Sequence, residues 1–194
     1  MHRARRFGQW GLWFGGGLIL FAAIVIGVDV VLRKFFTTSI GGADELSGYA
    51  LAIGTAWSLA AALLDRAHIR IDSLYGLFPR WLRLALDFIG VAMLGALFAL
   101  IAWHGSSVVM QSWNSASRSQ SALQTPTVIP QTIWLVGLAG FLVVVILLLG
   151  HAARLIARGD VAAATRLIST RSAQEEVEDE IRDLHDRQVR EGGR

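Results

Sequence analysis

The sequence predicts an all-α integral membrane protein, with four transmembrane helices and short in-plane amphipathic helices in the connections. Three observations predict it. The 194 residues are 54% hydrophobic and only 17% charged, with mean hydropathy +0.50, whereas an ordinary soluble domain is about a quarter charged. Four segments each supply the roughly 20 mostly apolar residues that a hydrocarbon core requires at about 1.5 Å rise per residue. The charge gathers elsewhere: eight of the fifteen acids follow Asp160, and the basic residues sit at the edges of apolar runs.

In chain order, a basic N-terminus (1–9) leads into a four-span membrane domain (10–155), followed by a charged tail (156–194) that is partly helical or mobile. Arg3, Arg5 and Arg6 precede the first span, 10–32. That apolar run exceeds a signal-peptide core and no clear small-residue cleavage site follows, so it is expected to be a retained anchor. The second span covers 46–64, the third 84–110 and the fourth 128–150. The third is the longest and is expected to tilt. Trp10, Trp13, Trp81, Trp113 and Trp134 fall near span ends, where amphipathic rings favour the headgroup layer. Trp57 and Trp103 lie deeper and are expected to pack. Small residues Gly90, Gly95, Ala96 and Ala99 on the third span would permit close helix contact.

Lysine and arginine placement sets orientation. With a cytoplasmic N-terminus, nine basic residues around the spans fall inside and three (Arg33, Lys34 and Arg118) fall outside. Both termini are therefore expected in the cytoplasm. In the first outer connection, a Gly41–Gly42 turn precedes Asp44 and Glu45, acids that suit a helix N-terminus with its partial positive charge. The second outer connection is rich in Ser and Gln, and Pro126 and Pro130 mark the start of the fourth span. In the tail, Val177, Ile181 and Leu184 form a stripe too short for a coiled coil, which needs three or more heptads.

The inner connection DRAHIRIDSLYGLFPRWLR (65–83) concentrates charge between spans two and three. On a helix, Asp65, His68 and Asp72 would share a face and suggest a metal. The surrounding arginines repel a cation, and no second ligand cluster accompanies them. Ile71, Leu74, Tyr75 and Phe78 recur at helical spacing before Pro79. The segment reads as an interfacial elbow, apolar face down, with His68, Arg70, Asp72 and Pro79 as its polar and turning elements and lipid phosphates as partners of its arginines.

Within the spans, Asp29 carries the sharpest signal, because an intramembrane carboxylate is costly unless paired. Arg33 lies four residues on, Glu45 opens the second span, and His104 falls toward the same side on the third. Asp29, Arg33, Glu45 and His104 are expected to form one structural or assembly network. Asp87 is expected near Arg83 at the same spacing of four. His104 and His151 belong to opposite sides, which excludes a shared haem. The chain has no cysteine, which excludes thiolate metal sites and disulfides. No nucleophile arrangement, phosphate loop or metalloprotease motif is present, so no enzyme is expected. No basic stripe with interleaved aromatics suggests nucleic acid.

VLRKFF (Val31–Phe36), ADELSGYAL (Ala43–Leu51), HIRIDSL (His68–Leu74) with Pro79, and TPTVIPQTIWLVG (Thr125–Gly137) occur in an order and spacing that resembles the small permease subunit, DctQ-type, of tripartite ATP-independent periplasmic (TRAP) transporters. The resemblance runs from Trp10 to Leu155. It implies a bacterial inner-membrane protein beside a large permease subunit that holds the substrate and sodium sites, with no cofactor in this chain. A periplasmic solute-binding protein would deliver an organic acid, and the small subunit would scaffold the large one and help dock the binding protein. Arg33, Glu45, His68 and Asp72 would then support assembly rather than chemistry. The alternative is a self-contained small homo-oligomeric transporter or channel.

Overall fold

A computed structural model describes residues 2–65, 78–168, 181 and 184. Five helices occur among them: α1 (His2–Phe36), α2 (Ala43–Leu64), α3 (Arg80–Asn114), α4 (Val128–Ala157) and α5 (Val161–Ile168). The first four are long and apolar enough to cross a membrane. Each begins or ends beyond its expected span by up to several residues. The elbow residues His68, Arg70 and Asp72 lie outside the described residues.

Local chemistry sets the boundaries. α1 holds six glycines, which would weaken a helix in water by about 1 kcal/mol each. In lipid the backbone has no other hydrogen-bond partner, so the helix persists. Gly41 (φ 65°) and Gly42 (φ 102°) reverse the chain before α2, a left-handed geometry that side chains resist. Pro79, extended at φ −64° and ψ 152°, is the N-cap of α3, and its carbonyl accepts from Leu82 N and Arg83 N. Pro130 sits in the first turn of α4, where its missing N–H costs nothing. Gly159 (φ 79°) ends α4, and Asp160 Oδ1 caps α5 through Ala163 N at 2.9 Å.

The helices pack in the order α1, α2, α4, α3. This is a layer about one helix thick, with α1 and α3 at its edges. The core runs along its middle, where Phe141 and Leu138 are fully buried and the Phe98 and Phe141 rings meet edge to face at 5.0 Å. α5 folds against α4 and α3, placing Ala164 and Ile168 in the same core as Leu84, Leu148 and Ala152. Packing therefore continues past residue 155, where the sequence had suggested the membrane domain would end.

α1 touches the layer through a single stripe. Positions 4, 8, 11, 15, 18, 22, 25, 29 and 32 are buried or half-buried, while the residues between them are exposed. This alternation of four and three is a coiled-coil seam; at Gly11 and Gly15 the α2 backbone lies so close that a Cβ would strike it, and at Gly8 a Cβ would fit only tightly. Of Gly90, Gly95, Ala96 and Ala99, expected to permit close helix contact, only Gly95 meets a neighbouring helix, at Val145; Gly90 faces open space and Ala96 and Ala99 are exposed.

Trp57 does pack. Its Nε1 donates to the Ile133 carbonyl of α4 at 3.0 Å, and its ring meets Phe14 edge-on at 5.2 Å. Gly137 makes this possible, since a Cβ there would occupy the indole's place. Trp103, expected to pack as well, is 72% exposed, because α3 is an edge helix and the residue points away from α4. Trp134, expected at the membrane surface, is half-buried over Gly105.

These contacts also fix the axial register. Gly11 of α1, Trp57 of α2, Ile133–Gly137 of α4 and Gly105 of α3 lie at one level. Gly11 is near the start of the first apolar span, whereas Gly105 and Ile133 are near the opposite ends of theirs. The layer is sheared, each helix slipped along its neighbour.

Candidate functional site

The polar groups of the layer converge at the end carrying the α1–α2 loop (37–42) and the α3–α4 loop (115–127). Asp29 continues the buried stripe of α1 and is only 3% exposed. Its Oδ1 accepts from Ser39 Oγ at 2.9 Å and from the Ile40 backbone N–H at 2.7 Å. Its Oδ2 takes Arg33 Nε at 2.6 Å. One carboxylate thus folds the first loop back onto α1 while neutralising the arginine one turn later. Arg33 reaches onward to Asp44 Oδ2 at 3.5 Å, joining α1 to the first turn of α2.

Asp44 and Glu45 both lie in the first turn of α2, as favourable charges at a helix N-terminus do. Gly42 is the N-cap and no side chain caps it; the two acids also serve two different neighbours. Glu45 Oε2 accepts from Ser119 Oγ at 2.8 Å and also from Ser121 Oγ. The same hydroxyls accept backbone bonds that shape the second loop, Thr125 N to Ser119 Oγ and Leu123 N to Ser121 Oγ, each 3.1 Å. Ser119 N also donates to the Thr125 carbonyl at 2.9 Å and Thr127 N to Ser117 O at 3.1 Å. The loops touch directly where Leu123 and Ala122 cover Gly42 and Gly41.

The predicted network therefore divides. Buried Asp29 pairs with the half-exposed Arg33, while Glu45 holds the second loop, linked to the pair through its neighbour Asp44 and through the contact of the two loops. His104 joins neither. It is exposed on α3 beside Gln131 and Trp134, with Leu100, Ile101 and Val108 around it. Pro79 is the helix-starting residue described above. Asp87 is buried, and Arg83 Nε donates to the Phe78 carbonyl at 2.7 Å. Asp65 is the C-cap of α2.

Sequence reasoning missed Ser39, Ser119 and Ser121 as the carboxylates' partners. Serine in a Ser/Gln-rich loop signals only polarity, and nothing in its spacing points to an acid 74 residues away. As chemistry, the clamp holds rather than reacts: each carboxylate accepts from donors fixed by the local chain. Among the described residues, no three His, Asp or Glu side chains come together as a metal site would need.

Residues 22–158 match a family model described as tripartite ATP-independent periplasmic transporters, DctQ component. The match takes in Asp29, both loops, α2 to α4 and the start of the turn before α5. No curated protein and no solved structure matches the chain.

Proposed function

The chain belongs to the DctQ family, the small membrane component of TRAP transporters, and from that premise we propose that it scaffolds the large permease subunit and helps dock the periplasmic solute-binding protein during sodium-gradient-driven uptake of an organic acid. The family is one of transporter components, not of enzymes. The protein is a multi-pass membrane protein; in the proposed setting it lies in the bacterial inner membrane with both termini cytoplasmic and the clamped loops periplasmic. Sodium ions belong to the large subunit in this reading, and lipid headgroups surround the span ends.

The observation that supports a scaffold is the layer about one helix thick. A solute path needs walls on all sides and polar groups along its length. Here the polar groups of the clamp are spent at one end on local bonds. The layer's long, apolar edges are suited to lie against a larger membrane partner and to resist bending when that partner moves. The clamp gives the periplasmic surface a fixed shape against which a soluble protein can seat.

Co-expression with the large permease and the binding protein tests this reading. The chain should retain the large permease through detergent purification. Uptake in liposomes should require all three proteins and a sodium gradient. Transport by this chain alone would overturn the scaffold reading.

A further inference from the structure

The exposed face of α4 ends in a group of basic side chains. Val136, Val143 and Leu147 are each more than half exposed and recur at helical intervals on one side of the helix. The same stripe continues through His151, Arg154 and Arg158, all exposed. One face thus changes from aliphatic to cationic over about two turns, at the end of the layer opposite the clamp. Gly140 lies on this stripe, and there Phe7 of α1 covers the helix, since a Cβ would meet its ring. Gly150, at the border of the stripe, has nothing within 4 Å of where a Cβ would sit, which leaves a notch between Leu147 and Arg154.

Neither arginine is paired within the described residues. The acid nearest in sequence, Asp160, accepts from Ala163 N to cap α5. α4 is 30 residues long, about 45 Å. Even tilted by about 40°, the upper end of the usual range, it carries its last turn across roughly 30 Å of hydrocarbon to the far headgroup layer. The aliphatic part of the stripe then faces acyl chain and the cationic part faces phosphate. A guanidinium grips a phosphate through two parallel N–H···O bonds, and the His151 ring adds an N–H donor on the same line. Phosphatidylcholine presents its phosphate beside its own ammonium group, whereas an anionic phospholipid presents one with no cation of its own. Charge complementarity therefore selects the anionic lipid.

We propose that His151, Arg154 and Arg158 hold the headgroup phosphate of one anionic phospholipid, whose acyl chain lies along Leu147 and Val143 toward Phe7. The site goes beyond the scaffold reading and needs only that α4 crosses a bilayer.

The chain has no native cysteine, so single positions can be labelled cleanly. Gly150→Cys beside the basic group and Ile24→Cys on the exposed side of α1 are each labelled with bimane. The full chain is placed in phosphatidylcholine vesicles containing a small fraction of phosphatidylglycerol or phosphatidylcholine with a nitroxide on the acyl chain. At Gly150→Cys the lipid fraction giving half-quenching should favour phosphatidylglycerol by roughly tenfold, less than the product of about fivefold for each arginine near an anionic headgroup. At Ile24→Cys the two lipids should quench alike. Arg154→Gln with Arg158→Gln should remove the preference with helical content unchanged. Arg5→Gln with Arg6→Gln, at exposed basic positions on α1, should leave it intact. Equal quenching by both lipids at Gly150→Cys, whether the acidic tail or nothing meets the arginines, would overturn the proposal. So would the same preference at Ile24→Cys, or its loss in the Arg5 and Arg6 variant, since either would mean a diffuse surface charge. Retention of the large subunit is measured separately and bears only on the scaffold reading.

Discussion

Asp29 gathers three donors, from Ser39, Ile40 and Arg33. Asp29→Ala should release Ser39 and Ile40 together and leave Arg33 with Asp44 alone, while Asp29→Asn keeps an acceptor for the loop and loses only the ion pair. Thermal unfolding in detergent should therefore rank the wild type above Asp29→Asn and Asp29→Asn above Asp29→Ala; equal midpoints would mean the pair contributes nothing. Glu45 makes a separable case. In Glu45→Ala the amides of Ser119 and Leu123 should exchange hydrogen several-fold faster, because both serine hydroxyls lose the acceptor that orients them. Exchange at Ile40 should stay as it was. The Asp29–Arg33 pair was legible from a spacing of four on one helix. The Glu45–Ser119 bond was not, because it depends on two loops meeting across separate helices.

Among the elements, α1 depends most on a single interface. At Gly11 an added Cβ would run into the Trp57 carbonyl, whereas at Gly16 nothing lies within 4 Å. Gly11→Leu should unseat α1 from α2, costing about 1–3 kcal/mol as overpacking does and more if the backbones cannot separate. Gly16→Ala should leave stability unchanged or slightly raised. Urea or SDS titration of the purified chain measures both, and equal effects would remove the seam as the cause. The helix itself was plain in the apolar run. The first half of its seam was also written there, as the small residues Ala4, Gly8, Gly11 and Gly15 at alternating intervals of four and three, but glycines at 16, 17 and 27 share the helix and mask the pattern. Only the position of α2 singles out which glycines matter.

At the level of the whole molecule, the shear has a consequence for the membrane. Gly11 and Gly105 stand level in the layer yet near opposite ends of their apolar spans, a slip of roughly 25–30 Å at about 1.5 Å per residue. Three interhelical steps of about 9 Å separate α1 from α3. A flat bilayer can cover both spans only if the helices lean by roughly 45° within the plane of the layer, just beyond the usual range of up to about 40°. The same lean explains helices of 35 residues in α1 and α3, longer than an upright crossing needs. Spin labels at Leu12→Cys and Ser106→Cys, level in the layer, should then report opposite interfaces in oxygen and nickel accessibility. Equal depths would mean an upright layer.

By itself the sequence determined the fold class, the four spans, the helix starts at Pro79 and before Pro130, the Asp29–Arg33 pair and, through its motifs, the family. Each of these follows from hydropathy over a window or from spacing within one helix, and such local quantities do not depend on where the rest of the chain lies. The tertiary structure alone decided the order α1, α2, α4, α3, the shear, the bond from Glu45 to the second loop and the isolation of His104 from the clamp. In a protein this apolar, every helix face is chemically able to meet lipid or another helix. Hydrophobicity therefore cannot choose neighbours, and the choice falls to close fits such as Gly137 beneath Trp57 and to the few polar atoms that must find partners.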